Sequence, residues 1–83
     1  MAYNITYKSS VKKDLKKLSK SDAIRILDQV EAALSKKPDK YPALKGEFAG
    51  LRKYRVGTFR VIFAILENDV LILRVGHRKD VYR

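Results

Sequence analysis

The chain has 83 residues, 46% of them hydrophobic and 34% charged. That fits one globular domain, residues 1–83, with a modest core, and excludes a disordered polyelectrolyte. The absence of cysteine excludes disulfides and thiolate chemistry. The net charge of +10, from 19 Lys+Arg against 9 Asp+Glu, is a large positive field for so small a domain and points to an anionic partner, above all nucleic acid.

"AYNITYK", Ala2 to Lys8, alternates Tyr3, Ile5 and Tyr7 with polar neighbours, which predicts a half-buried strand. Ser9 or Ser10 then caps a short helix whose apolar stripe is Val11, Leu15 and Leu18. Lys12, Lys13, Lys16, Lys17 and Lys20 fill its other positions and form a basic face suited to long-range attraction of phosphate. The simpler reading of those lysines is a solvated surface. Ser19 and Ser21 are candidate caps for a second helix, with Asp22 favourably placed in its first turn. Its apolar face is expected on Ile24, Leu27, Val30 and Leu34, widened by Ile26 and Ala33. Lys36 and Lys37 suit its end, and Pro38 blocks continuation.

"DKYPALKGEFAG", Asp39 to Gly50, reads as a connection. Three strands follow, Leu51–Val56, Thr58–Leu66 and Val70–His77, joined by turns short enough to make an antiparallel meander. The middle strand is apolar on both faces, so it belongs in the centre of the sheet. The predicted fold is α+β with order β-α-α-β-β-β, a helical hairpin packed on one face of a mainly antiparallel sheet. The apolar run after Arg60 is broken by Glu67-Asn68-Asp69, and each half is too short to span a bilayer. No charged segment followed by an apolar one opens the chain, so the cytoplasm is the expected compartment and no membrane partner is expected.

The basic residues of the last three strands converge. A turn at Gly57-Thr58 sets Val56 against Phe59 and Arg55 against Arg60, although like charges directly opposite in a sheet are destabilising. Lys53 shares the face of Arg55. A two-residue Asn68-Asp69 turn pairs Arg60 with His77, whereas a three-residue Glu67–Asp69 turn pairs it with Gly76. Either register brings "GHRKDVYR" beside Arg60, so Lys53, Arg55, Arg60 and Arg78, with His77 and Tyr82, are candidates for one phosphate site. Arg60 could form an ion pair with Glu67, Asp69 or Asp80, Tyr82 could pack as an anchor, and Lys53 could be a solvated strand residue.

A single histidine excludes a two-histidine acid–base ribonuclease. No cysteine, histidine or carboxylate set has metal-ligand spacing, and no phosphate-binding glycine motif occurs, so no cofactor is expected. What remains is phosphoryl chemistry driven by fixed cations. RNA brings its own nucleophile, the 2′-OH. The protein need only withdraw its proton, surround the developing charge with cations and protonate the leaving 5′-oxygen.

Two stretches, "LKGEFAGLRKYRVGTFRVIFAI" and "VGHRKDVY", together with the opening "MAYNITYKSSVKKDLKKL", resemble the RelE/ParE superfamily of toxins from type II toxin–antitoxin systems. The likeness spans essentially the whole chain, and within the superfamily it is similar to the RelE branch, mRNA interferases that cleave message in the ribosomal A site. The resemblance implies an endoribonuclease that inhibits translation and leaves a 2′,3′-cyclic phosphate and a 5′-OH. It places the catalytic set on Lys53, Arg55, Arg60, Arg78 and Tyr82. Tyr82 or Lys53 would accept the 2′-OH proton, Arg55 and Arg60 would stabilise the transition state, and Arg78 would donate toward the 5′-oxygen or orient the phosphate. Family members often carry lysine at the position of Arg55. Arginine does not lose its proton near neutrality, so this departure favours a stabilising role there over a basic one. The implied partners are the ribosome, mRNA and a cognate antitoxin, acidic or of mixed charge and partly disordered. His77 and the helix lysines Lys12, Lys13, Lys16, Lys17 and Lys20 are the expected RNA- or ribosome-binding residues. Two rival readings are a ParE-like gyrase inhibitor without nuclease activity and a plain RNA- or ribosome-binding module.

Overall fold

The computed structural model describes residues 2–44, 46 and 50–77. Strand β1 (Asn4–Tyr7) leads into helices α1 (Ser9–Lys16) and α2 (Lys20–Leu34). A single 3-10 turn, Pro38–Lys40, precedes strands β2 (Arg52–Val56), β3 (Phe59–Leu66) and β4 (Asp69–His77). The four strands form one sheet in the order β1-β4-β3-β2. β2, β3 and β4 are an antiparallel meander, and β1 joins the other side of β4 in parallel. The α+β architecture and the β-α-α-β-β-β order match the sequence expectation. A parallel pair needs a crossover connection, and the helical hairpin with the meander supplies it.

The core lies between the helices and one face of the sheet. Val11, Ile26, Val30 and Leu34 from the helices meet Val56, Phe59, Val61, Phe63, Val70, Ile72 and Val75 from the strands. Among the described residues Phe63 is the largest fully buried side chain, mid-way along a central strand. Two details of the helices differ from the sequence reading. Lys8, not a serine, is the residue before α1, and no side chain caps that helix. Ser10 instead donates to the Leu73 carbonyl at 2.7 Å and ties the helix to the sheet. On α2 the buried stripe is Ile26, Val30 and Leu34, while Ile24 is 49% exposed. With about 100° per residue, Ile24 lies well away from that stripe. Ser19 does cap α2, its hydroxyl accepting from the Asp22 amide at 3.2 Å. Among the described residues no helix is long and apolar enough to cross a membrane.

β1 covers β4 only as far as Ile72, opposite Tyr7. Beyond it, α1 takes over the open edge. The Asp14 carboxylate accepts the Val75 main-chain amide at 2.9 Å and a two-point contact from Arg74, at 2.9 Å from Nε and 3.3 Å from Nη2. Among the described residues Asp14 is the charged side chain that is buried, 7% exposed. Its partners make that burial tolerable, because each carboxylate oxygen has a donor.

The turn between β3 and β4 is neither of the two forms expected. Leu66 pairs with Asp69, so Glu67 and Asn68 make the loop, with Glu67 at φ 55°. The register then slips by one between Ile62 and Phe63, where Leu73 is the extra residue of a β-bulge on β4. The slip restores the pairing of Arg60 with Gly76. It also lets Ile72 and Val75, three residues apart, both be buried.

Candidate nucleic-acid site

The hairpin of β2 and β3 has the expected register, Val56 against Phe59 and Arg55 against Arg60, with Lys53 opposite Ile62. Gly57 makes the turn at φ 59°, a region that favours glycine, and a Cβ there would lie 3.3 Å from the Arg25 guanidinium. Phe59, Val61 and Phe63 of β3 enter the core under the helices. Strand alternation therefore sends Arg60 and its cross-strand partner Arg55 to the face that carries no helix, together with Lys53.

Lys53, Arg55 and Arg60 meet in a cleft of about 310 Å³, with Tyr41, Pro42 and Tyr54 completing its described wall. Arg55 and Arg60 also line a second, open cleft of about 350 Å³ at the hairpin tip, beside Gly57 and Thr58. Arg55 is exposed, and Lys53 and Arg60 are half-buried. The described walls of the two clefts hold three cations and no carboxylate. Such a site favours a polyanion.

Tyr41, Pro42 and Tyr54 were not singled out by the sequence. The connection containing the first two folds back along the outer edge of β2. Leu44 donates to the Leu51 carbonyl at 2.8 Å, Lys53 donates to the Pro42 carbonyl at 3.2 Å, and Ala43 bridges to Arg52. Arg52 fastens the same loop, donating to the Tyr41 carbonyl at 2.6 Å and the Asp39 carbonyl at 3.1 Å. Tyr41 and Tyr54 then meet edge to face, their ring centres 4.9 Å apart. The Tyr54 hydroxyl donates to Gln29 Oε1 at 3.2 Å. Burial, with a smaller contribution from Tyr41, pushes the Tyr54 phenol above its ordinary pKa, which keeps it a donor. Alternation of Tyr54 with Lys53 and Arg55 was the available signal for its place on the helix side of β2.

The structure does not bring every candidate to this cleft. His77 pairs with Phe59, and their ring centres are 4.5 Å apart, so it lies on the helix-bearing side of the sheet. There it lines a small cavity of about 120 Å³ with Asp14, Lys17 and Arg74. The bulge in β4 is the cause, since it reverses which residues of the strand's end face the helices. The expectation that His77 crowds Arg60 is therefore corrected. Lys12, Lys13, Lys16, Lys17 and Lys20 are all exposed, and they belong to the helical layer rather than to the cleft wall. Arg78 and Tyr82 lie outside the described residues.

The family described as the ParE toxin of type II toxin–antitoxin systems matches residues 5–82, nearly the full length. The chain belongs to the RelE/ParE superfamily of type II toxins. The toxin RelG of Mycobacterium tuberculosis is 33% identical to it over 86 residues, covering 100% of this chain and 99% of that protein. Among solved structures, the RelBE2 toxin–antitoxin complex of M. tuberculosis contains a chain that superposes with a TM-score of 0.87 at 30% identity, covering 96% of this chain and 95% of that one. The E. coli RelBE complex contains another with a TM-score of 0.74 at 16% identity, covering 92% and 96%. The last likeness speaks to fold alone. In this toxin the superfamily fold carries Lys53, Arg55 and Arg60 on the helix-free face of the hairpin.

Proposed function

We propose that the toxin is a ribosome-dependent mRNA endonuclease and that the cleft of Lys53, Arg55 and Arg60 is the core of its active site. The observation that carries the reading is the Arg55–Arg60 cross-strand pair with Lys53 beside it, in a cleft walled by tyrosines. Two guanidinium groups set directly across from one another present two sets of charge-assisted donors to one RNA phosphate. The 2′-oxygen forms a bond to phosphorus while the bond to the 5′-oxygen breaks. The 2′-OH proton passes to a base, Lys53 or Tyr82, and a proton is delivered to the departing 5′-oxygen, a role suited to Arg78. Arg55 and Arg60 hold the extra negative charge on the phosphorane oxygens. The products are a 2′,3′-cyclic phosphate and a 5′-OH end.

The partner that silences such a toxin is an antitoxin with an acidic or mixed-charge segment, largely disordered when free and folded across this surface when bound. The +10 charge supports this, as does the exposed apolar side chain of Ile24.

Mapping of mRNA 5′ ends after induction without antitoxin is the test. Cleavage within translated codons, with 5′-OH ends, is the expected result. The family match to ParE gives one rival a specific footing, namely inhibition of DNA gyrase without nuclease activity. Gyrase-linked DNA breaks with intact message would establish that rival and dismiss the nuclease.

A further inference from the structure

Behind the Tyr41–Tyr54 pair lies a fourth and larger cavity, about 490 Å³, that the catalytic reading leaves unused. Its floor is α2, at Gln29, Ala32 and Ala33, and its rim carries Lys36, Lys37 and Lys40. Tyr41 and Tyr54 line both this cavity and the catalytic cleft, so the two share one aromatic wall. Lys40 Nζ stands over the Tyr41 ring, 5.2 Å from its centre. Three cations, small alanines and an aromatic edge are the elements by which proteins track single-stranded nucleic acid: cations follow the phosphates and rings stack the bases.

We infer that this cavity is a second RNA subsite, holding a nucleotide of the strand that flanks the reactive phosphate. The inference rests on the nuclease reading of the neighbouring cleft. A strand leaving Lys53 and Arg55 passes the Tyr41–Tyr54 wall and enters the cavity. There a base takes the place of the Lys40 ammonium over the Tyr41 ring, and the ammonium turns to the adjoining phosphate. Stacking of a base is the stronger of the two interactions with that ring, and the displaced cation gains a full negative charge. Lys37 holds the next phosphate. Ala32 and Ala33 leave room because larger side chains there would fill the floor. The tight Arg52 contacts to the Asp39 and Tyr41 carbonyls fix the loop, so the subsite exists before RNA arrives.

Fluorescence anisotropy with 2′-O-methyl oligoribonucleotides, which lack the nucleophile, tests this on the full chain. A hexanucleotide should bind the wild type roughly fivefold or more tightly than a trinucleotide, the gain expected of one stacked base. Tyr41→Ala should remove that gain and Tyr41→Phe should keep it, which separates stacking from the hydroxyl. Lys37→Ala combined with Lys40→Ala should remove it too and make the hexanucleotide's log–log salt slope shallower by about 1.4, at about 0.7 for each single-strand phosphate left without its lysine. Lys53→Ala should weaken both oligonucleotides equally. A length gain that survives Tyr41→Ala and the lysine pair overturns the subsite, as does its absence in a wild type that cleaves message. A polyglutamate peptide that binds through the same residues, with no length gain for RNA, would overturn it too and assign the cavity to a protein partner. A length gain in a toxin that leaves cellular message intact would keep the subsite and remove only the nuclease reading.

Discussion

Asp14 on α1 grips Arg74 on β4 through two side-chain contacts and also accepts the Val75 amide. The pair closes the stretch of β4 that β1 does not reach, and so holds the strand end that leads to Arg78. Breaking a buried pair by removing one partner costs about 3–5 kcal/mol. Arg74 keeps 36% side-chain exposure and can turn to water, so Asp14→Ala should fall at the low end, about 3 kcal/mol. Asp14→Asn retains an acceptor for the Val75 amide and should cost less. Urea midpoints rank the three proteins, and hydrogen exchange at Val75 should accelerate in step. A wild-type midpoint for Asp14→Ala would mean that the edge is sealed by other contacts.

The hairpin register was legible because both its ends are marked: Gly57 sets the turn, and the alternation of Phe59, Val61 and Phe63 allows one inward face. That placed Arg55 opposite Arg60 from sequence alone. The last strand was harder. Val70 and Ile72 set a period of two that would drive Arg74 into the core, and the apolar spacing returns only at Val75. That break was the trace of the bulge, and missing it left His77 a candidate for the face of Arg60. Tyr41 was illegible for another reason. Its position depends on the loop pairing with the β2 edge, a contact between main-chain groups that side-chain pattern does not encode. Asp14 was hidden among lysines, where a lone acid reads as surface.

Arg55 and Arg60 differ in what their removal should do. Arg55 is exposed and faces a like charge, so Arg55→Gln should leave stability unchanged or raise it by about 0.5 kcal/mol. Cleavage by the same variant should fall. Arg60→Ala removes the more buried cation of the two and should slow single-turnover cleavage about a hundred- to thousandfold, the loss typical of one preorganised charge stabiliser. Thermal melts and single-turnover assays on the two variants check both halves. Normal cleavage by folded Arg60→Ala would leave the site without its centre.

Tyr7 gives a pH dependence with a definite sign. Burial first, then the Glu31 carboxylate nearby and the hydrogen bond to it, push its phenol from 10.0 to about 12. The folded state therefore keeps this proton where the unfolded chain has lost it. The associated stability is intact below pH 10, and it disappears as the pH rises from there through about 12. Tyr7→Phe removes the titrating group, so its stability should decline less steeply than the wild type's over that window. Denaturant titrations at several alkaline pH values compare the two slopes, and parallel curves would show that the Tyr7 proton is not linked to folding.

Binding and cleavage should separate by mutation, because the basic residues occupy two layers. Lys13 and Lys17 are exposed on the helical layer, whereas Lys53, Arg55 and Arg60 line the cleft on the other face of the sheet. On the proposed nuclease reading, charges on the helices act at long range on ribosomal phosphate and touch no reacting atom. Replacing Lys13 and Lys17 together with alanine should weaken ribosome association and reduce its log–log salt slope by about one for each phosphate no longer neutralised. Once bound, the complex still presents the complete cleft to the message, so single-turnover cleavage of preformed complexes should match the wild type. Both measurements use the same protein and the same ribosomes, which removes folding as an explanation for a difference between them. Should preformed complexes lose cleavage in proportion to affinity, the helical lysines take part in arranging the cleft, and the two-layer division of labour is wrong.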